Sequence, residues 1–309
     1  MRNFFAKHLE SLAEQDDRVL LLYGDIGNKL FDGFKEKFPD RFFNCGVAEA
    51  NMVGVAAGLA KSGFKPWVYT INSFLYLKAL EQIKLDVCYQ GLPVTLVGTG
   101  GGLGYSELGT THHSLEDFGV LSQIPQLTTY APGTTSILTK TMNHVLKKAA
   151  PAYIRLGKKE SYDPQLECIE DLSGNLEVNI FPESVTSPKI AILSTGTIID
   201  SAQEAVEKLC ESRILTVHFH VSQVSPLSEN LLKKLLVKYS DVFVVEDHYP
   251  NGGLYPQLCV LKSSQELSFK LHRIGPPFEF FAGLGELKEA RESLSIDPDA
   301  IFEFVSQRI

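Results

Sequence analysis

Short apolar runs of strand length recur along the chain at 18–23, 67–70, 94–98, 128–130 and 152–155, each separated from the next by a helix-sized segment. Such alternation constrains the fold more than any other feature, because consecutive strands with a helix between them can pair in parallel only through crossover connections. The pattern breaks between 161 and 188, where Pro164, Pro182, Pro188 and Ser173-Gly174-Asn175 interrupt a polar stretch with no clear period. Beyond it, runs at 189–193, 214–217, 242–245 and 271–274 restore the alternation. The expected fold class is therefore α/β, with two domains, each a mostly parallel sheet covered by helices: residues 1–160, a linker over 161–188, and residues 189–309. A length of 309 residues suits two cores better than one.

A formal charge of -8 without a Lys/Arg-rich run argues against nucleic-acid binding. The first 17 residues lack an apolar signal-peptide core, and Phe4, Phe5, Leu9 and Leu12 instead fit one face of a helix. No stretch approaches the roughly 20 apolar residues of a membrane span, so a cytoplasmic location without membrane contact is expected. Cys45, Cys88, Cys168, Cys210 and Cys259 are odd in number and widely spread, which points to reduced thiols rather than a disulfide framework or a thiolate metal site.

Ligands of open parallel sheets bind beyond the carboxyl ends of strands, which directs attention to three loops. Gly24-Asp25-Ile26-Gly27 follows the first run, Gly46-Val47-Ala48-Glu49 opens a helix rich in small residues, and a glycine-rich segment runs from Gly98 to Gly109. Glu49 reads either as a first-turn acid complementing the helix dipole or as a buried acid able to share a proton with a ligand nitrogen. The glycine-rich segment lacks the Lys-Ser/Thr of a phosphate loop and reads better as flexible lining of a cavity. Ser114 is a candidate cap for a helix beginning at Leu115. His112 and His113 can be proton carriers, exposed loop residues or metal ligands; adjacent side chains diverge and no third ligand stands nearby, so no metal site is assigned.

Taken together and in order, these motifs resemble transketolases: Asp25, Gly46-Val47-x-Glu49, Phe74 ahead of Ala79 to Ile83, Gly109-x-Thr111-His112, Glu116-Asp117, Pro125 with Pro132, and Val245-Glu246-Asp247-His248 before Gly252-Gly253. Residues 1–160 are similar to that family's pyrimidine-binding domain and 189–309 to its C-terminal domain. The resemblance implies thiamine diphosphate as cofactor. Glu49 would bind N1′ of the aminopyrimidine and drive cofactor activation, Phe74 would stack on the ring, and Asp25 would lie near the cofactor. His112 would contact substrate oxygens or relay protons, and Lys158 would stand where the family has an arginine for the sugar phosphate. Glu246, Asp247 and His248 read as a surface turn or a loop near an assembly interface, outside the catalytic set.

Departures from the family refine this. The Gly-Asp-Gly motif with a downstream Asn has no counterpart, so the diphosphate and the magnesium or other divalent cation are expected on an N-terminal partner subunit, in an assembly with two copies of each chain. Leu108 and Gly100 replace an aspartate and a histidine of the substrate site, leaving open which sugar or sugar phosphate is used, while Ile71 and Leu77 replace aromatic residues around the ring. The implied activity is transfer of a two-carbon ketol unit. The alternatives are the beta subunit of a 2-oxoacid dehydrogenase's decarboxylating component and a non-catalytic scaffold or regulatory homologue.

Overall fold

The computed structural model describes residues 1–26, 29–158 and 188–309, with the strands Glu167–Glu170 and Glu177–Ile180 between the last two ranges. Six parallel strands form the first sheet: β1 (Val19–Tyr23), β2 (Phe42–Asn44), β3 (Lys65–Ile71), β4 (Thr95–Thr99), β5 (Thr128–Tyr130) and β6 (Ala152–Leu156). Their order is β5-β6-β4-β3-β1-β2. Side chains alternate across a strand, so each run supplies both layers of core. Leu20, Leu22 and Val68 face Met52, Val53 and Ala56 of the helix Glu49–Lys61, while Val19, Leu21, Trp67 and Tyr69 face Phe5, Leu9 and Leu12 of the helix Arg2–Gln15.

The second sheet takes β7 (Glu167–Glu170), β8 (Glu177–Ile180), β9 (Ile190–Ser194), β10 (Thr216–Val221), β12 (Asp241–Val245) and β13 (Lys270–Ile274), in the order β13-β12-β9-β10-β8-β7. β9, β10, β12 and β13 are parallel; β8 runs antiparallel to β10 with Ile180 opposite Phe219, and β7 antiparallel to β8. Part of the segment read as a linker is thus an antiparallel edge of this sheet, and its remaining residues, apart from Pro188, lie outside those described. Polarity without a clear period hid two strands there. β11 (Gln223–Ser225) follows β10 directly and pairs antiparallel with β5 of the first sheet, so the second unit hands one strand back to the first. Among the described residues, no helix is long and apolar enough to cross a membrane.

Candidate active site

The carboxyl end of β2 delivers Glu49 through a turn that its own side chains organise. Asn44 donates its amide to Asp25 Oδ1 at 2.8 Å, and its Oδ1 accepts the Gly46 N–H at 2.9 Å. Gly46 takes φ +67°, a conformation open to glycine, and the chain turns into the helix that begins at Glu49. Glu49 is 2% exposed, and Lys78 Nζ lies 3.3 Å from its Oε2. Glu49 is thus both the first-turn acid of its helix and buried. Asp25 is itself exposed and holds the turn through Asn44; with Tyr23, Lys29, Asp32 and Lys35 it lines a separate cavity of about 510 Å³.

The other side chains singled out form a row. Phe74 lies on the helix Asn72–Lys78, one turn before Lys78, whose ammonium sits 4.4 Å from the Phe74 ring centre. The rings of Phe74 and His112 meet edge-on at 5.1 Å, and Tyr105 stands 6.1 Å from His112. Lys158 places its ammonium 4.5 Å over Tyr105 and pairs with Glu107. His112 Nδ1 contacts Thr111 Oγ1 at 2.9 Å, and burial draws its pKa below the usual imidazole range. Glu49, Lys78, Phe74, His112, Tyr105 and Lys158 are therefore linked by successive contacts, whereas Asp25 joins them only through the turn. Lys78 and Tyr105 were not foreseen. For Lys78 a signal existed in its four-residue spacing from Phe74 on a helix; for Tyr105, inside a glycine-rich loop, there was none.

Three sequence readings are corrected by what lies behind this row. The glycine-rich segment is packed rather than lining open space: a Cβ on Gly98 would strike Asn72, one on Gly100 the Tyr105 ring, and one on Gly102 Asp247. Ser114 caps no helix; it bridges to Gly102 and accepts from Asn72 Nδ2 at 2.6 Å, while the helix spans Asp117–Leu121. Glu246, Asp247 and His248 are buried, each at most 1% exposed, and so form no surface turn.

These last groups join the two units through Arg155. Its guanidinium lies 3.4 Å from Asp117 Oδ2 and 3.3 Å from Asp247 Oδ1, and donates to the carbonyls of Ser114 and Asp247 at 3.0 Å each. Burial alone disfavours that charge, yet Asp117 and Asp247 together hold it above the ordinary arginine range. Asn72 Nδ2 and Tyr153 Oη donate to Asp117 Oδ2 at 2.8 and 2.6 Å. Gly119 N–H donates to His248 Nε2 at 3.3 Å, so Nδ1 carries the proton and donates to the Tyr249 carbonyl at 2.8 Å; burial pushes this imidazole down to about 4. Asn72 thus connects the helix of Phe74 to the loop that follows His112, and through Asp117 and Arg155 to Asp247 of the second unit.

Two open α/β units, mostly parallel, with a buried acid opening one helix and linked through Lys78 to an aromatic side chain, define a two-domain α/β protein. Residues 1–163 match the family described as transketolase, pyrimidine binding domain, and residues 183–301 that described as transketolase, C-terminal domain. The chain belongs to the transketolase family. It is 30% identical to an apulose-4-phosphate transketolase subunit of Actinobacillus succinogenes over 87% of this chain and 85% of that protein. It is 31% identical to a 6-deoxy-6-sulfo-D-fructose transketolase subunit of a Clostridium species, over 82% and 78% respectively. Among solved structures, a split gene transketolase described as an inactive beta4 tetramer superposes with TM-score 0.84 at 24% identity, covering 99% of this chain and 96% of that one. The Campylobacter jejuni transketolase gives 0.82 at 17% identity, but this chain covers only 46% of its length.

Proposed function

We propose that this chain is the pyrimidine-binding and C-terminal subunit of a split transketolase, moving a two-carbon ketol unit between sugars or sugar phosphates with thiamine diphosphate. The observation that carries the reading is Glu49: a buried carboxylate at a helix start, within one side chain's reach of a partly exposed Phe74. A buried acid near an aromatic side chain suits a heteroaromatic ring that must share a proton at nitrogen. Glu49 holds that proton, Phe74 supports the ring face, and His112 holds or moves a proton at substrate oxygens. Lys158 offers a positive charge to an anionic substrate end, as the phosphate and sulfonate in the relatives' names suggest. When bound, the cofactor supplies the nucleophilic carbon and the electron sink, and these residues orient it. A partner subunit supplies the diphosphate and divalent-cation site, in a heterotetramer with two copies of each chain.

Reconstitution tests this. The chain alone should show no ketol transfer; with its partner, thiamine diphosphate and magnesium it should be active, and Glu49→Gln should lower kcat by about a hundredfold or more. A normal rate for that variant sinks the assignment. Pyruvate-dependent dye reduction would identify the 2-oxoacid dehydrogenase alternative instead, and a calorimetric titration without thiamine diphosphate binding the scaffold.

A further inference from the structure

One contact in the row has no part in the chemistry above. Lys78 Nζ touches Glu49 Oε2 at 3.3 Å and the face of Phe74 at 4.4 Å from its centre, so a single ammonium lies between the acid and the aromatic ring. A flat ligand that hydrogen-bonds Glu49 while stacking on that face of Phe74 must take the volume this ammonium fills. We propose that Lys78 is a resident counter-ion that holds the place of the aminopyrimidine ring between Glu49 and Phe74, and swings out when the ring binds.

The balance of forces supports a removable plug rather than a fixed pair. Glu49 is 2% exposed and does not move readily, since it opens a helix whose Met52, Val53 and Ala56 are locked in the core. Lys78 keeps 48% of its side chain exposed and sits on the last residue of its helix, with Leu77 exposed beside it. Water is therefore available to take the ammonium when it leaves. An ion pair whose cation is half-exposed and a cation–π contact on a partly exposed ring are each modest, so the two together hold the slot shut without sealing it. Closure in this form keeps the buried carboxylate neutralised while no ring is present.

This inference rests on the thiamine-site reading, and the experiment separates the two. The probe is the free aminopyrimidine fragment, 4-amino-5-hydroxymethyl-2-methylpyrimidine, titrated into the full chain by ligand-observed NMR, with far-UV circular dichroism to confirm that each variant is folded. Lys78→Met should bind the fragment about three- to tenfold more tightly than the wild-type chain, Lys78→Arg should bind like wild type, and Glu49→Gln should lose binding. Raising the salt should close the gap between wild type and Lys78→Met, because salt screens the Glu49–Lys78 pair and not the uncharged contact of the variant. If Lys78→Met binds no more tightly than wild type while Glu49→Gln still loses binding, the plug is wrong and the site stands. If Glu49→Gln binds as well as wild type, or no form binds the fragment, both fall.

Discussion

Glu246 shows what a single buried carboxyl can do away from the chemistry. It is fully buried, accepts the N–H groups of Leu254 and Tyr255 at 2.7 and 3.3 Å at the start of the helix Leu254–Ser264, and has Arg273 Nε 3.9 Å away. Burial outweighs those partners and pushes its pKa up to about 7 from an ordinary 4.5. A carboxyl raised in the folded state binds its proton more tightly there than in the unfolded chain. Its contribution to stability is therefore complete below about 4.5 and is lost as the pH rises through about 7. Glu246→Gln, which keeps an acceptor and removes the charge, should match wild type near the lower limit and gain on it by about 3 kcal/mol across the window. Thermal unfolding of both forms at several pH values measures this; parallel curves would contradict it. Nothing near Glu246 in sequence announced its burial. Its neighbour Asp247 meets Arg155 92 residues away and His248 meets Gly119 129 residues away, and a local reading sees only polar residues before Pro250.

At the scale of elements, glycine has two uses here that one substitution distinguishes. Gly98 ends β4's apolar run where Asn72 Cα would stand 3.0 Å from an added Cβ, and that asparagine already serves Ser114, Asp117 and Tyr153. Gly98→Ala should cost about 1–3 kcal/mol through overpacking. Gly54, inside the helix Glu49–Lys61, has nothing within 4 Å of an added Cβ. Gly54→Ala in the chain alone should stabilise by about 0.5–1 kcal/mol, because alanine favours the helix. Chemical denaturation of both variants checks the pair, and equal effects would refute it. The two glycines look alike in sequence. By contrast β1, β4, β9 and β12 were legible, because each is buried on both faces and reads as a nearly continuous apolar run, whereas Glu49, Phe74 and His112 were singled out only through an ordered set of motifs. The pairing of Lys78 with Glu49 was not, since it crosses from one helix to another.

For the whole molecule, the response to acid follows from imidazoles that the fold keeps neutral. His218 and His220 are fully buried around Ser194 Oγ, at 2.7 and 3.0 Å, and His220 Nε2 reaches the Ala131 carbonyl of the first unit at 3.3 Å. Burial lowers His218 well below 6.5 and His220 to about 4, as it does His248 in the Arg155 network. A base lowered in the folded state contributes stability that is complete above its unfolded value and is lost as the pH falls through the folded one, a window from 6.5 to about 4. Glu246 acts in the opposite direction over much of that window, and Glu116, Asp200 and Asp247, raised chiefly by burial, oppose in the same sense. Three deeply buried imidazoles, two of them lowered to about 4 and the third well below 6.5, outnumber the one carboxyl raised as far as about 7. The thermal midpoint should therefore fall steeply below about pH 6.5. Because His220 and His248 both bond across the boundary between the units, the two should lose structure together rather than in sequence. Nitrogen NMR of the imidazoles at pH about 5 offers the direct check: all three should still be neutral while the chain is folded, and titration near the ordinary histidine value would refute the account.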